Sequence, residues 1–275
     1  MFRRELLSIA RPSPASSEGL ELLEGIEESG VISSGRALDP VTGKTYPIKH
    51  GYLDLLGRRT GADSIANLTN FLPGAGLLYE PLWRVRSLTL LTGESFPNER
   101  ELEIITDLVR AERGGRYLDL GCSAGLYTRS LAATLGDRGD VIGIDISPSM
   151  LGEAARRARK LGVTPSFARA DAENLPFADA SFAGAVCGGS LNEFGDPART
   201  LRESSRVLEP GGRVAIMGIL KAETLRGRRL QRFLSTGGVR FFEPNEVLSL
   251  LDHAGLEPDP LRTYNVVFFA GATRR

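Results

Sequence analysis

Short apolar runs alternate with amphipathic stretches through most of the chain. "RYLDL", "DVIGID", "PSFARA", "FAGAVCGG" and "GGRVAIMGI" are dense in aliphatic and aromatic residues, are bounded by Gly, Pro or Asp, and predict buried strands. Between them, "AGLYTRSLAATLG", "SPSMLGEAARRARKLG", "DPARTLRESSRVL" and "EPNEVLSLLDHAG" carry apolar residues at helical spacing, the last with Pro just inside its start and Gly just past its end. "LEPDPLRTYNVVFFAGATRR" supplies one or two closing strands. Strands alternating with helices of this length predict βαβ units, hence an α/β fold with a mostly parallel sheet covered by helices on both faces.

The chain ahead of this region reads differently. In "LELLEGIEESG" the spacing of Leu20, Leu23, Glu24 and Glu27 suits a short amphipathic helix. "VISSGRALDPVTGKTYPIKHGYLDLLG" consists of short β-type runs cut by Gly and Pro, a hairpin-rich element held by packing of Tyr46, Ile48, Tyr52, Leu53 and Leu55. "LLYEPLWRVRSLTLLTG" and "PNERELEIITDLVRAE" are helical, the second opening with acidic residues that favour a helix N-terminus. The expected organisation is an appendage at 1–65, a helical lead-in and substrate cover at 66–110, and a core at 111–275 with an insertion at about 221–242.

Composition narrows the setting more than the chemistry. The 275 residues hold 34 Lys plus Arg against 34 Asp plus Glu, so no global basic footprint for nucleic acid exists. Two cysteines, Cys122 and Cys187, and two histidines, His50 and His253, are too few for a disulfide framework or a zinc set. Neither a signal segment nor a membrane-length apolar run is present, and a cytoplasmic location is expected.

The chemistry concentrates at the predicted strand ends. "YLDLGCSAGLYT" runs from a strand through a glycine loop into a helix, where amides and the helix N-terminus favour an anionic group, phosphate or carboxylate alike. Asp119, two residues before Gly121, would repel a pyrophosphate and attract a cation. Asp145 ends the second strand, where a carboxylate can accept both hydroxyls of a ribose, as NAD enzymes also require. Asp171 and Glu173 follow the third strand, with Glu173 read as a loop acid.

The ordered set "YLDLGCSAG", "VIGIDISPSML", "ARADAENLPFADASFAGAVCGGSLNEF" and "ESSRVLEPGGRVAI" resembles a class I S-adenosylmethionine-dependent methyltransferase, of the branch that includes the ubiquinone and menaquinone C-methyltransferases. The resemblance covers residues 98–220 strongly. It implies a doubly wound, seven-stranded Rossmann-like sheet and S-adenosyl-L-methionine as cofactor, with S-adenosyl-L-homocysteine as product and no metal. Carried over by position, it places Asp119 near the amino group and sulfonium, and Gly121, Cys122, Ser123 and Gly125 along the methionyl segment. Asp145 would hold the ribose, Ile146 and Met150 the adenine, Asp171 its exocyclic amine and Ala172 its edge through the amide. Cys187 and Gly188 would form the floor, and Tyr79 of the lead-in helix would approach the cofactor. Ser123 stands where the family pattern has its middle glycine.

Relatives of this branch carry a histidine pair where Asn192 and Glu193 stand, which makes these two the candidates for acceptor handling: Asn192 to orient, Glu193 as a base. The opposing reading of Glu193 is a surface residue leading into Asp196 and Pro197. "ALDPVTGKTYPIKHGYLDLLG" resembles the second half of a zinc ribbon with Asp39 and Thr42 in the cysteine places, implying a ribbon-like hairpin without zinc. Phe71, Leu77, Tyr79 and Trp83 would cover a small apolar or aromatic acceptor, and the basic run at 221–240 suits peripheral contact with a membrane surface. A monomer or homodimer is expected. The competing readings are an rRNA base methyltransferase, disfavoured by the neutral charge, a catalytically silent cofactor-binding scaffold, and an NAD oxidoreductase.

Overall fold

The computed structural model describes residues 2–57 and 85–275. Tyr79 and the expected cover residues Phe71, Leu77 and Trp83 lie outside the described residues. The chain opens with β1 (Phe2–Arg3) and a 3-10 turn, followed by β2 (Glu21–Glu28), β3 (Val31–Leu38), β4 (Thr45–Lys49) and β5 (Tyr52–Asp54). After the gap come α1 (Val85–Thr92), α2 (Asn98–Val109), β6 (Gly115–Leu120), α3 (Leu126–Leu135), β7 (Gly139–Asp145), α4 (Pro148–Leu161) and β8 (Ser166–Arg169). The rest is β9 (Phe182–Gly188), a 3-10 turn at Ser190–Asn192, α5 (Pro197–Val207), β10 (Leu208–Ile219), α6 (Leu225–Ser235), α7 (Pro244–His253), β11 (Leu256–Pro258), β12 (Arg262–Tyr264) and β13 (Val267–Arg274).

The expected seven-stranded core is present in the order β8-β7-β6-β9-β10-β13-β11. Its strands are parallel from β8 to β10, and β13 returns antiparallel to β10. The order reverses between β6 and β9, so the crevice at their carboxyl ends is the place where such a sheet receives a ligand. Local chemistry sets the helices around it. Ser147 caps α4 by accepting from the Met150 amide, Pro148 occupies the first turn and Gly162 ends the helix in a left-handed conformation. Asp196 caps α5 in the same way through the Arg199 amide at 2.9 Å.

The N-terminal strands are not an appendage. β5 runs parallel to β8, pairing Leu53 with Ala168 and Asp54 with Arg169, so the meander continues the central sheet to thirteen strands among the described residues. Phe2, Leu6, Ile32, Ile48 and Leu53 share one buried cluster with Ile142, Ile144 and Phe177 of the core. Ile48, Tyr52, Leu53 and Leu55 are buried as expected, with Tyr46 packed against them. The segment expected as an amphipathic helix is instead β2, paired antiparallel with β3.

The ribbon-like turn is closed by hydrogen bonds. Asp39 is fully buried and accepts from Ser16 Oγ and Thr42 Oγ1, each at 2.6 Å, and from the amides of Val41 and Thr42. Burial alone would raise its pKa, but these donors outweigh it and bring the carboxyl down to about 2. Among the described residues no group of three His, Cys, Asp or Glu side chains is placed to hold a metal ion, and no helix is long and apolar enough to cross a membrane.

Candidate cofactor and active site

The loop between β6 and α3 alternates left-handed residues: Gly121 at φ 64°, Ser123 at φ 48° and Gly125 at φ 77°. Space demands glycine at the outer two, because a Cβ at 121 would sit 2.6 Å from the Ser190 side chain and one at 125 would sit 2.9 Å from Ala154. The Cys122 amide donates to Ile144 O at 2.8 Å, and the Ser123 amide donates to Asp145 Oδ2 at 2.9 Å, so the loop is moored on the end of β7. Ser190 Oγ donates to Gly121 O at 2.9 Å, tying the same loop to the turn after β9.

Asp119, Cys122, Cys187 and Gly188, expected along the cofactor, are engaged in the protein's own packing. Asp119 is only 2% exposed, and its Oδ2 accepts from the Thr128 amide and hydroxyl at 2.9 and 2.6 Å. It anchors the first turn of α3. Cys122 turns its side chain into a buried cluster with Leu151, Ala154 and Phe167, and burial followed by the charges of Asp119 and Asp145 pushes the thiol well up. Cys187 is also buried, its thiol pushed up to about 12 by burial and then by Asp119, while Gly188 leaves room for the Tyr127 ring, which a Cβ would meet at 2.7 Å. Cys187 and Gly188 therefore form a floor beneath Tyr127.

The second and third strand ends keep their expected positions. Asp145 is partly buried at the end of β7, with Ser123 N on one oxygen and Ser147 N on the other at 2.8 Å. Burial raises its carboxyl against the hydrogen bonds of the Ser147, Ser123 and Ile146 amides. Ser123 Oγ lies 3.6 Å from Met150 Sδ, which brings the loop, β7 and α4 together. Asp171 Oδ1 accepts from the Glu173 amide at 2.9 Å in the turn after β8, and Ala172 is buried beside it. Glu173 itself accepts from the Asp196 amide at 2.9 Å, a tie between loops consistent with its reading as a loop acid.

At the fourth strand end the two candidates separate. Asn192 is buried, and its amide is consumed by main chain: Nδ2 donates to Ile219 O at 2.9 Å and to Arg240 O at 2.6 Å, while Oδ1 accepts from Ile219 N at 2.9 Å. It latches β10 to the segment after α6, with both Nδ2 protons spent on main chain. Glu193 is partly buried, with its carboxyl pushed up to about 7 by burial and then by the negative charge of Asp145. The charge at the end of β7 thus reaches the turn that follows β9.

The motifs did not point to several residues that shape this region. Glu101 of α2 is fully buried and accepts from Tyr127 OH. Arg169 at the end of β8 donates from Nε to Ile146 O at 3.0 Å and pairs with Asp54 at 3.4 Å, so β5 reaches the expected adenine loop through one guanidinium. An acid in the middle of an apolar helix stripe is the one sequence signal for Glu101; nothing local marks Asp54. His50 and His253 are exposed and remote from these strand ends, His253 bonding within α7 to Ser249.

A methyltransferase-domain family model matches residues 118–216. The chain is 31% identical over 207 residues to 27-O-demethylrifamycin SV methyltransferase of Amycolatopsis mediterranei, covering 72% of this chain and 73% of that one. The chain belongs to the class I S-adenosylmethionine-dependent methyltransferases. Within that family it is 41% identical over 109 residues to 2-phytyl-1,4-naphtoquinone methyltransferase of Synechococcus elongatus, covering 39% of this chain and 47% of that one. It spans about half the length of the quinone methyltransferases it matches. A solved S-adenosylmethionine-dependent methyltransferase from Aquifex aeolicus shares the fold, with TM-score 0.53 at 22% identity over 66% of this chain and 94% of that one.

The residues present fit the family's cofactor. Asp145 accepts from the Ser123, Ser147 and Ile146 amides, which leaves part of the carboxylate's roughly four lone-pair sites for a ribose hydroxyl.

Proposed function

We propose that this methyltransferase moves a methyl group from S-adenosyl-L-methionine to an O, C or N atom of a small apolar or aromatic acceptor, leaving S-adenosyl-L-homocysteine. The observation that carries this reading is Asp145 at the carboxyl end of β7, where the sheet order reverses beside it and its oxygens are set by the Ser123 and Ser147 amides. The names of two relatives point the same way, to a phytylated naphthoquinone and to the 27-O position of a rifamycin.

When bound, the cofactor supplies an electrophilic methyl carbon on a cationic sulfur. Gly121, Ser123 and Gly125 would line the methionyl part, Asp145 the ribose hydroxyls, Ile146 and Met150 the adenine, with Asp171 and the Ala172 amide on its edge. Glu193 would accept the proton released by an acceptor hydroxyl or acidic carbon, which a carboxylate of pKa about 7 can do at neutral pH. The remaining task is alignment and exclusion of water, worth on the order of 7 to 11 kcal/mol when geometry is well set.

Titration calorimetry with S-adenosyl-L-methionine, followed by release of S-adenosyl-L-homocysteine over a panel of quinols and phenols, tests the reading. Asp145→Ala should weaken cofactor binding by at least about tenfold, or ~1.4 kcal/mol. Binding of NADH in place of the sulfonium cofactor would overturn the assignment, and cofactor binding without turnover of any acceptor would reduce it to a silent scaffold.

A further inference from the structure

We propose that α6 is a docking helix for an anionic lipid surface. It is held to the body only along one side: Gln231 donates to Leu220 O and accepts from Ala222 N, both at 2.8 Å, and Arg228 Nε donates to Ala222 O at 2.9 Å. Thr224 caps its start. None of its residues is buried. At helical spacing, Gln231 and Arg228 share the face toward the protein; Leu230, 59% exposed, and Phe233, 72%, lie opposite with Arg226 and Arg229, and Leu225, 78%, and Leu234, 41%, flank them. Four large apolar groups on so short a helix are a cost in water unless they are covered.

The charge pattern decides what covers them. Arg226, Arg228, Arg229 and Arg232 stand on α6 with no acidic residue among them, and among the described residues none of the four forms an ion pair. The neighbouring cations Lys221 and Arg240 are already paired, with Glu243 and Glu246. A second copy related by symmetry would set arginines against arginines on this face, whereas a bilayer bearing anionic headgroups provides both an apolar layer for Phe233 and Leu230 and countercharge for the guanidiniums. A helix of this length, about 16 Å, lies in such an interface and does not span it. The proposal rests on α6 alone and is independent of the reading of the cofactor site.

Flotation of the full chain with vesicles tests it, comparing phosphatidylcholine alone with phosphatidylcholine containing roughly one-third phosphatidylglycerol at ~0.1 M salt. Anionic vesicles should carry the protein and neutral ones should not. Arg226→Gln with Arg229→Gln should weaken anionic binding by about 25-fold, near fivefold per cation, and Phe233→Ser with Leu230→Ser should also release the protein. Circular dichroism and S-adenosyl-L-homocysteine binding verify that these surface variants remain folded. Equal partition onto neutral and anionic vesicles, or none onto either, would overturn the proposal. So would a concentration-dependent dimer in sedimentation velocity that Phe233→Ser abolishes, since it would assign the face to a second copy.

Discussion

Ser123 holds a left-handed conformation that costs a residue with a Cβ about 1 kcal/mol, and it does so between two glycines in the same conformation. Its contacts offset little: the amide bond to Asp145 is main chain and survives any substitution, and the hydroxyl reaches only Met150 sulfur. Ser123→Gly should therefore raise stability to urea by up to about 1 kcal/mol while leaving cofactor affinity within tenfold. Glu193 gives a pH signature. Acting as a base, it requires kcat/KM to rise with pH and level off above about 7, a limb that Glu193→Gln should flatten while lowering turnover by roughly 10²-fold. Stability runs the opposite way. Its folded pKa lies above the ordinary 4.5, so its contribution is complete below that value and is lost as pH rises through about 7. The Gln variant should accordingly unfold at higher urea than the parent at pH 8.

Among the elements, the parallel strands and their helices were legible because each is a short apolar run with its own caps and breakers. β2 was not. Its leucines fall at helical spacing, but Gly25 lies opposite Gly35, where a Cβ on Gly35 would stand 2.3 Å from Glu24 O, and a cross-strand pair joins Glu24 to Arg36. Pairing across strands decided the element, and one-dimensional periodicity cannot register it. The turn after β9 shows the same limit in the site: Asn192 and Glu193 are adjacent in sequence, yet one points into main chain and the other toward Asp145's field. Asn192→Ala would remove the side-chain partners of Ile219 N, Ile219 O and Arg240 O, of which Ile219 O keeps the Phe242 amide at 3.5 Å. It should cost about 3 kcal/mol in urea unfolding and expose the 220–240 segment to limited proteolysis.

For the whole molecule, the core sheet was readable, but its continuation was hidden. Nothing in "GYLDLLG" states that two of its residues will pair with β8, because that contact joins positions far apart in the chain. Of the site, the positions on strand ends were legible, while the directions of Asp119, Cys122 and Cys187 depended on packing between α3, α4 and the sheet. Continuity has a measurable result: deletion of residues 2–57 would bare the β8 edge and the apolar groups under Phe2, Leu6 and Leu53. Such a truncation should fail to give a cooperative urea transition, whereas the full chain should unfold in one.

The turn around Asp39 has a consequence outside the structure. Ser16 and Thr42 hydroxyls and two amides close it around a carboxylate. A carboxylate closed by hydroxyls and amides carries no oxidisable sulfur, so the geometry of this corner does not answer to the redox state of a thiol.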